Sequence, residues 1–234
     1  MLMEKEKYKQ FPPVLVLVAA LDEEEGIWLT LAELKHFLPD SKLLVVDGNS
    51  VDGTVHAAKS LGADVVFQKG KGKGDAVSYG LESADSDFEY VIFTDADYTY
   101  PAEYIPRMIE ILDADPEIGM VCGNRFNSHL DFGAMRYFLY FGNRLIASIH
   151  NFLNGVALQD PLTGLRVVRW DILKNWRPKS VGFDVEVELN HHVERRGYKI
   201  AEIEVPYRER IGVKKLKIRH GATIIKRILS ESVY

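Results

Sequence analysis

Apolar residues follow two alternating patterns along the first half of the chain: short unbroken aliphatic runs, and longer stretches spaced like the face of a helix. Val14–Ala20 is an unbroken β-branched and aliphatic run, the pattern of a parallel strand covered on both faces. Asp22-Glu23-Glu24-Glu25 then opens a helix predicted to reach Phe37, with its acids at the positive end of the helix dipole. The alternation continues with strands expected over Lys42–Val46, Ala63–Phe67, Tyr90–Thr94 and Gly119–Cys122. Between them, helices are expected over Asp52–Leu61 and Gly74–Ala84, and from Pro101 to Leu112, the last with proline in its first turn. This repetition predicts an α/β fold, a doubly wound, mostly parallel sheet flanked by helices. Ligands are expected beyond the C-terminal strand ends.

The second half is less regular. Phe132–Leu158 is rich in aromatic and aliphatic residues, with helical spacing in places. Leu165–Val168 and Lys199–Val205 read as strands on either side of a helix around Asp184–Arg195. Lys217–Ser230 reads as a terminal amphipathic helix. Within that central helix, Glu186 and Glu188 read as ordinary helix acids and His191-His192 as structural. Cys122, in an apolar strand, reads as a small buried hydrophobe.

Composition narrows the functional classes. The 234 residues suit one domain with a short appendage. A formal net charge of -5 argues against general nucleic-acid binding. A single cysteine excludes an intrachain disulfide and agrees with a reducing compartment. The charged Met1–Gln10 does not read as a signal peptide, and Val14–Leu21 is too short to span a bilayer. The charge is uneven: Arg210–Arg227 holds seven Lys or Arg and no acid.

Four motifs fall at successive strand ends. They are Asp22-Glu23, Asp47-Gly48-Asn49-Ser50-Val51-Asp52-Gly53-Thr54, Gly70-Lys71-Gly72-Lys73-Gly74 and Asp95-Ala96-Asp97. Each alone is compatible with an ordinary turn or solvated loop. Together they line one sheet edge with acids, glycines and lysines. Two carboxylates at one strand tip suit a hard divalent cation, the usual companion of a diphosphate.

In this order the motifs resemble those of inverting family 2 glycosyltransferases of the GT-A fold, and most of all the dolichyl-phosphate (polyprenyl-phosphate) sugar synthases. The resemblance runs from about Val14 to Leu216. It implies a GT-A catalytic domain over residues 1–216, with a nucleotide-sugar half (about 12–125) and an acceptor half (about 126–216), followed by a basic helix over 217–234. The donor, a nucleoside-diphosphate sugar (GDP-mannose or a UDP-sugar), would meet Ala20, Asp22, Glu23, Asp47, Lys73, Asp95, Ala96, Asp97, Arg210 and Lys215. Asp95 and Asp97 would hold Mg²⁺ or Mn²⁺.

Gln159-Asp160-Pro161-Leu162-Thr163-Gly164-Leu165-Arg166 resembles the acceptor loop of those enzymes. Gly123-Asn124-Arg125-Phe126 resembles the segment that sets an arginine on the acceptor phosphate. Arg125, Arg136 and Thr163 would meet that phosphate, and Asp97, Asp160 and Arg125 would be catalytic. The chain departs from the family pattern at Leu21 (commonly Tyr), Thr99 (often Gln) and Lys214 (commonly Ser).

The reaction so implied moves a sugar to polyprenyl (dolichyl) phosphate with inversion. A phosphate acceptor is already nucleophilic near neutral pH, its second pKa being about 6, whereas a hydroxyl acceptor needs a base, for which Asp160 is the choice. Phe132–Leu158 and Lys217–Arg227 could supply peripheral contact at the cytoplasmic face of a membrane, alone or with a membrane partner subunit. Two alternatives stand beside this one. The first is a glycosyltransferase with a saccharide or small-molecule hydroxyl acceptor. The second is a phosphatase, since Asp95-Ala96-Asp97-Tyr98-Thr99 fits a DxDxT signature.

Overall fold

The computed structural model describes residues 12–84, 88–126, 137–154, 157–213 and 219–231. Seven strands form one sheet: β1 (Val14–Ala20), β2 (Lys42–Asp47), β3 (Asp64–Phe67), β4 (Tyr90–Asp95), β5 (Ile118–Asn124), β6 (Arg166–Arg169) and β7 (Lys199–Glu204), in the order β3-β2-β1-β4-β6-β5-β7. The first four run parallel, as the alternation predicts. β6 runs antiparallel to both β4 and β5, while β7 lies parallel to β5. β6 thus joins two parallel blocks, and it brings the loop before it, 159–165, alongside the tip of β4.

Both faces of β1 are buried, and its period of two sorts its side chains into two cores. Val14, Val16 and Val18 pack with Ile27, Leu31 and Leu34 of α1 (Glu24–Phe37) and with Met108, Ile109 and Leu112 of α4 (Ile105–Ala114). Leu15 and Leu17 pack on the other face with Ala76, Val77 and Leu81 of α3 (Lys73–Glu82) and with Leu189 and Val193 of α7 (Val185–Arg195). The remaining helices are α2 (Thr54–Ser60), α5 (Tyr137–Asn154), the short α6 (Trp170–Leu173) and α8 (Arg219–Glu231). A third cluster joins Ile146 of α5, Val187 of α7 and Ile224 and Ile228 of α8. The C-terminal helix is therefore packed onto the domain along one face.

Three elements differ from expectation for identifiable reasons. α1 begins at Glu24, because Asp22 adopts a φ of 48° and its carboxylate accepts from the backbone N–H of Val51. Pro101 precedes a 3₁₀ turn, Ala102–Tyr104, rather than starting the helix. α6 has no counterpart among the expected elements, its four residues being too few to show a period. Glu186 and Glu188 are not the ordinary helix acids expected: both are buried, each engaged by groups from elsewhere in the chain.

Candidate active site

The tips of β1 and β2 are stitched together by side chains. Asp47 is fully buried and accepts from both the backbone N–H and the hydroxyl of Ser50, at 2.8 and 2.6 Å. The Ser50 hydroxyl accepts in turn from the Asp22 N–H, at 2.9 Å. The Thr54 hydroxyl donates to Asp52 and accepts from the Glu23 N–H, at 2.8 Å. These bonds shape the surface at this edge of the sheet, with Ala20 buried at the end of β1 in register with Asp47. Asp47 spends its oxygens on the loop itself.

β4 delivers Asp95 and Asp97. The turn between them is held close to α1 at Gly26, where a Cβ would stand 2.7 Å from the Ala96 carbonyl oxygen. Tyr98, with a φ of 62°, reverses the chain there and donates its N–H to Thr30 of α1 at 3.1 Å. The Thr99 hydroxyl and N–H both donate to Asp97, at 2.6 and 3.2 Å.

Lys73 reaches the same turn, 2.6 Å from Asp95 and 2.8 Å from Glu186. Burial would discharge it, but the two carboxylates outweigh burial and hold it protonated. Arg210 bridges Asp97, at 2.6 Å, and Glu23. The loop carrying Arg210 is pinned to the β4 turn by two backbone bonds, Arg208 N–H to Thr99 O and Ile211 N–H to Asp97 O. It is pinned again by the Arg208–Glu33 ion pair, at 2.6 and 2.9 Å.

The two carboxylates differ electrostatically. Burial raises Asp95, but the charges of Lys73, Arg125 and Arg210 prevail and lower it. Asp97 is raised by burial and then by the charge of Asp95. Among the described residues, no three His, Cys, Asp or Glu come together to hold a metal. A mutually repelling pair of hard oxygen donors nevertheless fits Mg²⁺ or Mn²⁺, which usually complete their shells with substrate phosphate and water.

Across β6 and β5 the charges are locked rather than open. Arg125 donates to both oxygens of Asp160, at 2.6 and 2.7 Å, and adds its backbone N–H at 3.1 Å. The backbone N–H groups of Gln159 and Asp160 donate to Glu202, at 2.7 and 2.8 Å. Arg166 is almost wholly buried and donates to the carbonyls of Thr163 and Pro161 and to Asn190. Thr163 is fully buried, with its hydroxyl 3.3 Å from that of Tyr100. Tyr100 also accepts the Gly164 N–H at 2.7 Å. Thr163 therefore supports the loop from within.

The structure brings Ala20, Asp22, Glu23, Asp47, Lys73, Asp95, Ala96, Asp97, Arg125, Asp160, Thr163 and Arg210 to one region of the sheet's C-terminal edge. Arg136 and Lys215 lie outside the described residues. Sequence reasoning missed Glu186, Glu188, Tyr100 and Asn190. Glu188 accepts from the N–H groups of Lys179 and Ser180, both at 2.7 Å, and so staples loop 179–182. That loop crosses the Gly/Lys loop so closely that a Cβ at Gly72 or Gly74 would collide with the Val181 or Ser180 carbonyl oxygen. The glycine spacing is the trace of this crossing in the sequence. Cys122 is inert, its thiol pushed up to about 12 by burial.

Known proteins resemble this chain in sequence and in fold. The model of the family "Glycosyl transferase family 2" matches residues 15–176. The chain is 31% identical over 223 residues to the dolichyl-phosphate hexose transferase of Haloferax volcanii, covering 94% of this chain and 93% of that protein. It is 28% identical to the undecaprenyl-phosphate mannosyltransferase of Micrococcus luteus, covering 84% of each. Among solved structures, glucosyl-3-phosphoglycerate synthase from Mycobacterium tuberculosis, in complex with Mn²⁺, UDP and glucosyl-3-phosphoglycerate, superposes with a TM-score of 0.75. That match is 22% identical and covers 97% of this chain and 82% of the other. The likeness shows the GT-A fold, and the family match sets aside the DxDxT phosphatase alternative.

Proposed function

The chain belongs to glycosyl transferase family 2, and from that premise we propose that it moves a hexose from a nucleoside-diphosphate sugar to the phosphate of a polyprenol. The observation that carries the choice of acceptor is the state of Asp160. Both of its oxygens are taken by a buried Arg125, which leaves it poorly placed to accept a proton from a hydroxyl nucleophile. A phosphate monoester needs no such base. Asp160 orients Arg125, and Arg125 presents the positive face of the acceptor side.

Asp95 and Asp97 would hold Mg²⁺ or Mn²⁺, which when bound supplies Lewis-acid neutralisation of the departing diphosphate. Lys73 and Arg210 lie beside that position and add positive charge where negative charge develops. The paired loops at Asp22–Glu23 and Asp47–Thr54 orient the nucleoside, which turns binding energy into positioning of the anomeric carbon.

A polyprenol acceptor requires contact with a membrane. No helix among the described residues is long and apolar enough to cross one. α5 exposes Leu145 and Phe152, two turns apart on one face, beside exposed Arg144. The neighbouring α8 exposes Leu229 and Lys226. Apolar side chains rimmed by bases suit an anionic bilayer surface. The enzyme so read attaches peripherally at the cytoplasmic face, directly or through a membrane partner subunit.

The test is nucleoside-diphosphate release from GDP-mannose, UDP-glucose and UDP-N-acetylglucosamine, with and without polyprenyl phosphate in detergent. Release with one donor that depends on the lipid phosphate and stops with EDTA is the expected result. Release that ignores the lipid but rises with a saccharide would favour the hydroxyl-acceptor alternative. Flotation with anionic liposomes, lost in Phe152→Ser, checks the membrane contact.

A further inference from the structure

If Asp95 and Asp97 hold the divalent cation, as read above, Lys73 stands in its way. Its ammonium lies 2.6 Å from Asp95 Oδ1, so it competes for a lone pair of a metal ligand and repels any cation placed there. The same ammonium lies 2.8 Å from Glu186 Oε1. Glu186 is buried, and its other oxygen, Oε2, has no hydrogen-bond partner among the described residues. Burying a carboxylate with one oxygen idle is costly. Glu188 and Asn190 of the same helix are also buried, but each has hydrogen-bond partners from neighbouring segments; the charged partner of Glu186 is Lys73.

We propose that Glu186 is the holding site for Lys73: a positioning residue that takes the ammonium onto its own oxygens when a divalent cation claims Asp95. Lys73 then stays beside the site, available to the incoming diphosphate. The charge count agrees. Asp95, Asp97, Glu23 and Glu186 against Lys73 and Arg210 leave two net negative charges, the complement of one divalent cation. Arg210 repeats the arrangement on the other side, shared between Asp97 and Glu23.

The test measures Mn²⁺ binding directly, from the loss of the free-ion EPR signal on titration with protein, with neither donor nor acceptor present. Glu186→Gln keeps the shape and an acceptor oxygen but loses the charge, and is expected to weaken Mn²⁺ binding about tenfold. Lys73→Met, which removes the competitor, is expected to bind Mn²⁺ more tightly than the wild type. In that background Glu186→Gln should cost clearly less than in the wild type, because only its direct attraction for the cation is then lost and there is no ammonium left to hold.

Wild-type affinity in Glu186→Gln, or an equal loss with and without Lys73, would overturn the inference and leave the cation reading intact. No Mn²⁺ binding by the wild type, even after a nucleoside diphosphate is added to complete the shell, would sink the cation reading and this inference with it. If Glu186→Gln fails to fold, Lys73→Met decides, since weaker Mn²⁺ binding there would exclude competition.

Discussion

Along the parallel half of the sheet, Asp95 and Asp97 follow directly from a strand tip and share their cations with second carboxylates; across β6, β5 and β7, Arg125, Asp160 and Arg166 face inward and pair within the protein. The Asp95 side chain is 30% exposed, that of Asp97 6% and that of Asp160 0%, so the contrast lies in the shared partners and in Asp95. The first arrangement is open to exchange, because Lys73 and Arg210 each have a carboxylate to fall back on when a ligand arrives. The second resists exchange, because separating Arg125 from Asp160 would leave two buried charges unpaired. One half of the site is built to receive charge and the other to hold a shape.

The contrast predicts different failures in the two halves. Asp160→Asn and Arg125→Ala each strand a buried charge and are expected to lower the unfolding free energy by about 3–5 kcal/mol in urea denaturation. Combined, they should lose clearly less than the sum of the singles. An Asp160→Asn protein of wild-type stability would break the comparison.

Asp97→Asn is expected to cut turnover about 10²–10³-fold, or about 3–4 kcal/mol in transition-state stabilisation. Its urea midpoint should barely move, because the repulsion relieved at Asp95 offsets the bond lost to Arg210.

A smaller effect concerns the contact of α5 with α7, where His150 and His191 lie with ring centroids 5.3 Å apart. Burial lowers each to about 4; His191 is further pulled up by Glu231 and down by Arg195, and His150 down by His191 and Arg166. Both imidazoles are neutral in the fold and would gain protons on unfolding below about pH 6.5. Their stabilisation is therefore complete above that pH and is lost as the pH falls toward 4. Glu194, raised to about 7 by burial, works in the opposite sense and gains stability as the pH falls. With two groups against one, the net loss between pH 7 and 5 is about 1–2 kcal/mol. Melting temperatures across that range should show it, and His150→Phe should flatten the slope.

The smallest expected change is Arg227→Ala. Its bonds to Asp184 and Glu231, at 3.1 and 3.2 Å, are partly solvated, and a loss below about 1 kcal/mol in thermal unfolding is expected. A larger loss would mean that α8 braces the start of α7, and with it the Glu186–Lys73 contact.

Much of the parallel half is legible in the amino-acid pattern alone. The strands are buried on both faces, so their apolar runs are unbroken, and each functional loop begins where a run stops. Glu186 and Glu188 read as ordinary helix acids in the sequence because helix periodicity reports only which residues share a face. The partners that bury them, Lys73 and the backbone of 179–180, lie far away in sequence or outside the helix. Thr163 is expected at the acceptor phosphate only from the resemblance of its loop to that of related enzymes; what no local pattern shows is that the chain reversal at β6 buries it against Tyr100. Gly72 and Gly74 suggest a nucleotide loop, and the crossing of loop 179–182 gives them a further, steric reason.

Local chemistry thus dictated the strand tips, the order of the acidic motifs and the family, since these depend on neighbours within a few residues and on the period of the backbone. Packing across the sheet decided which charges are shared and which are locked. Ion pairs such as Arg210–Asp97, 113 residues apart, and Arg208–Glu33, 175 apart, exist only once the chain has folded back on itself. Their strength is set by a burial that no local pattern encodes.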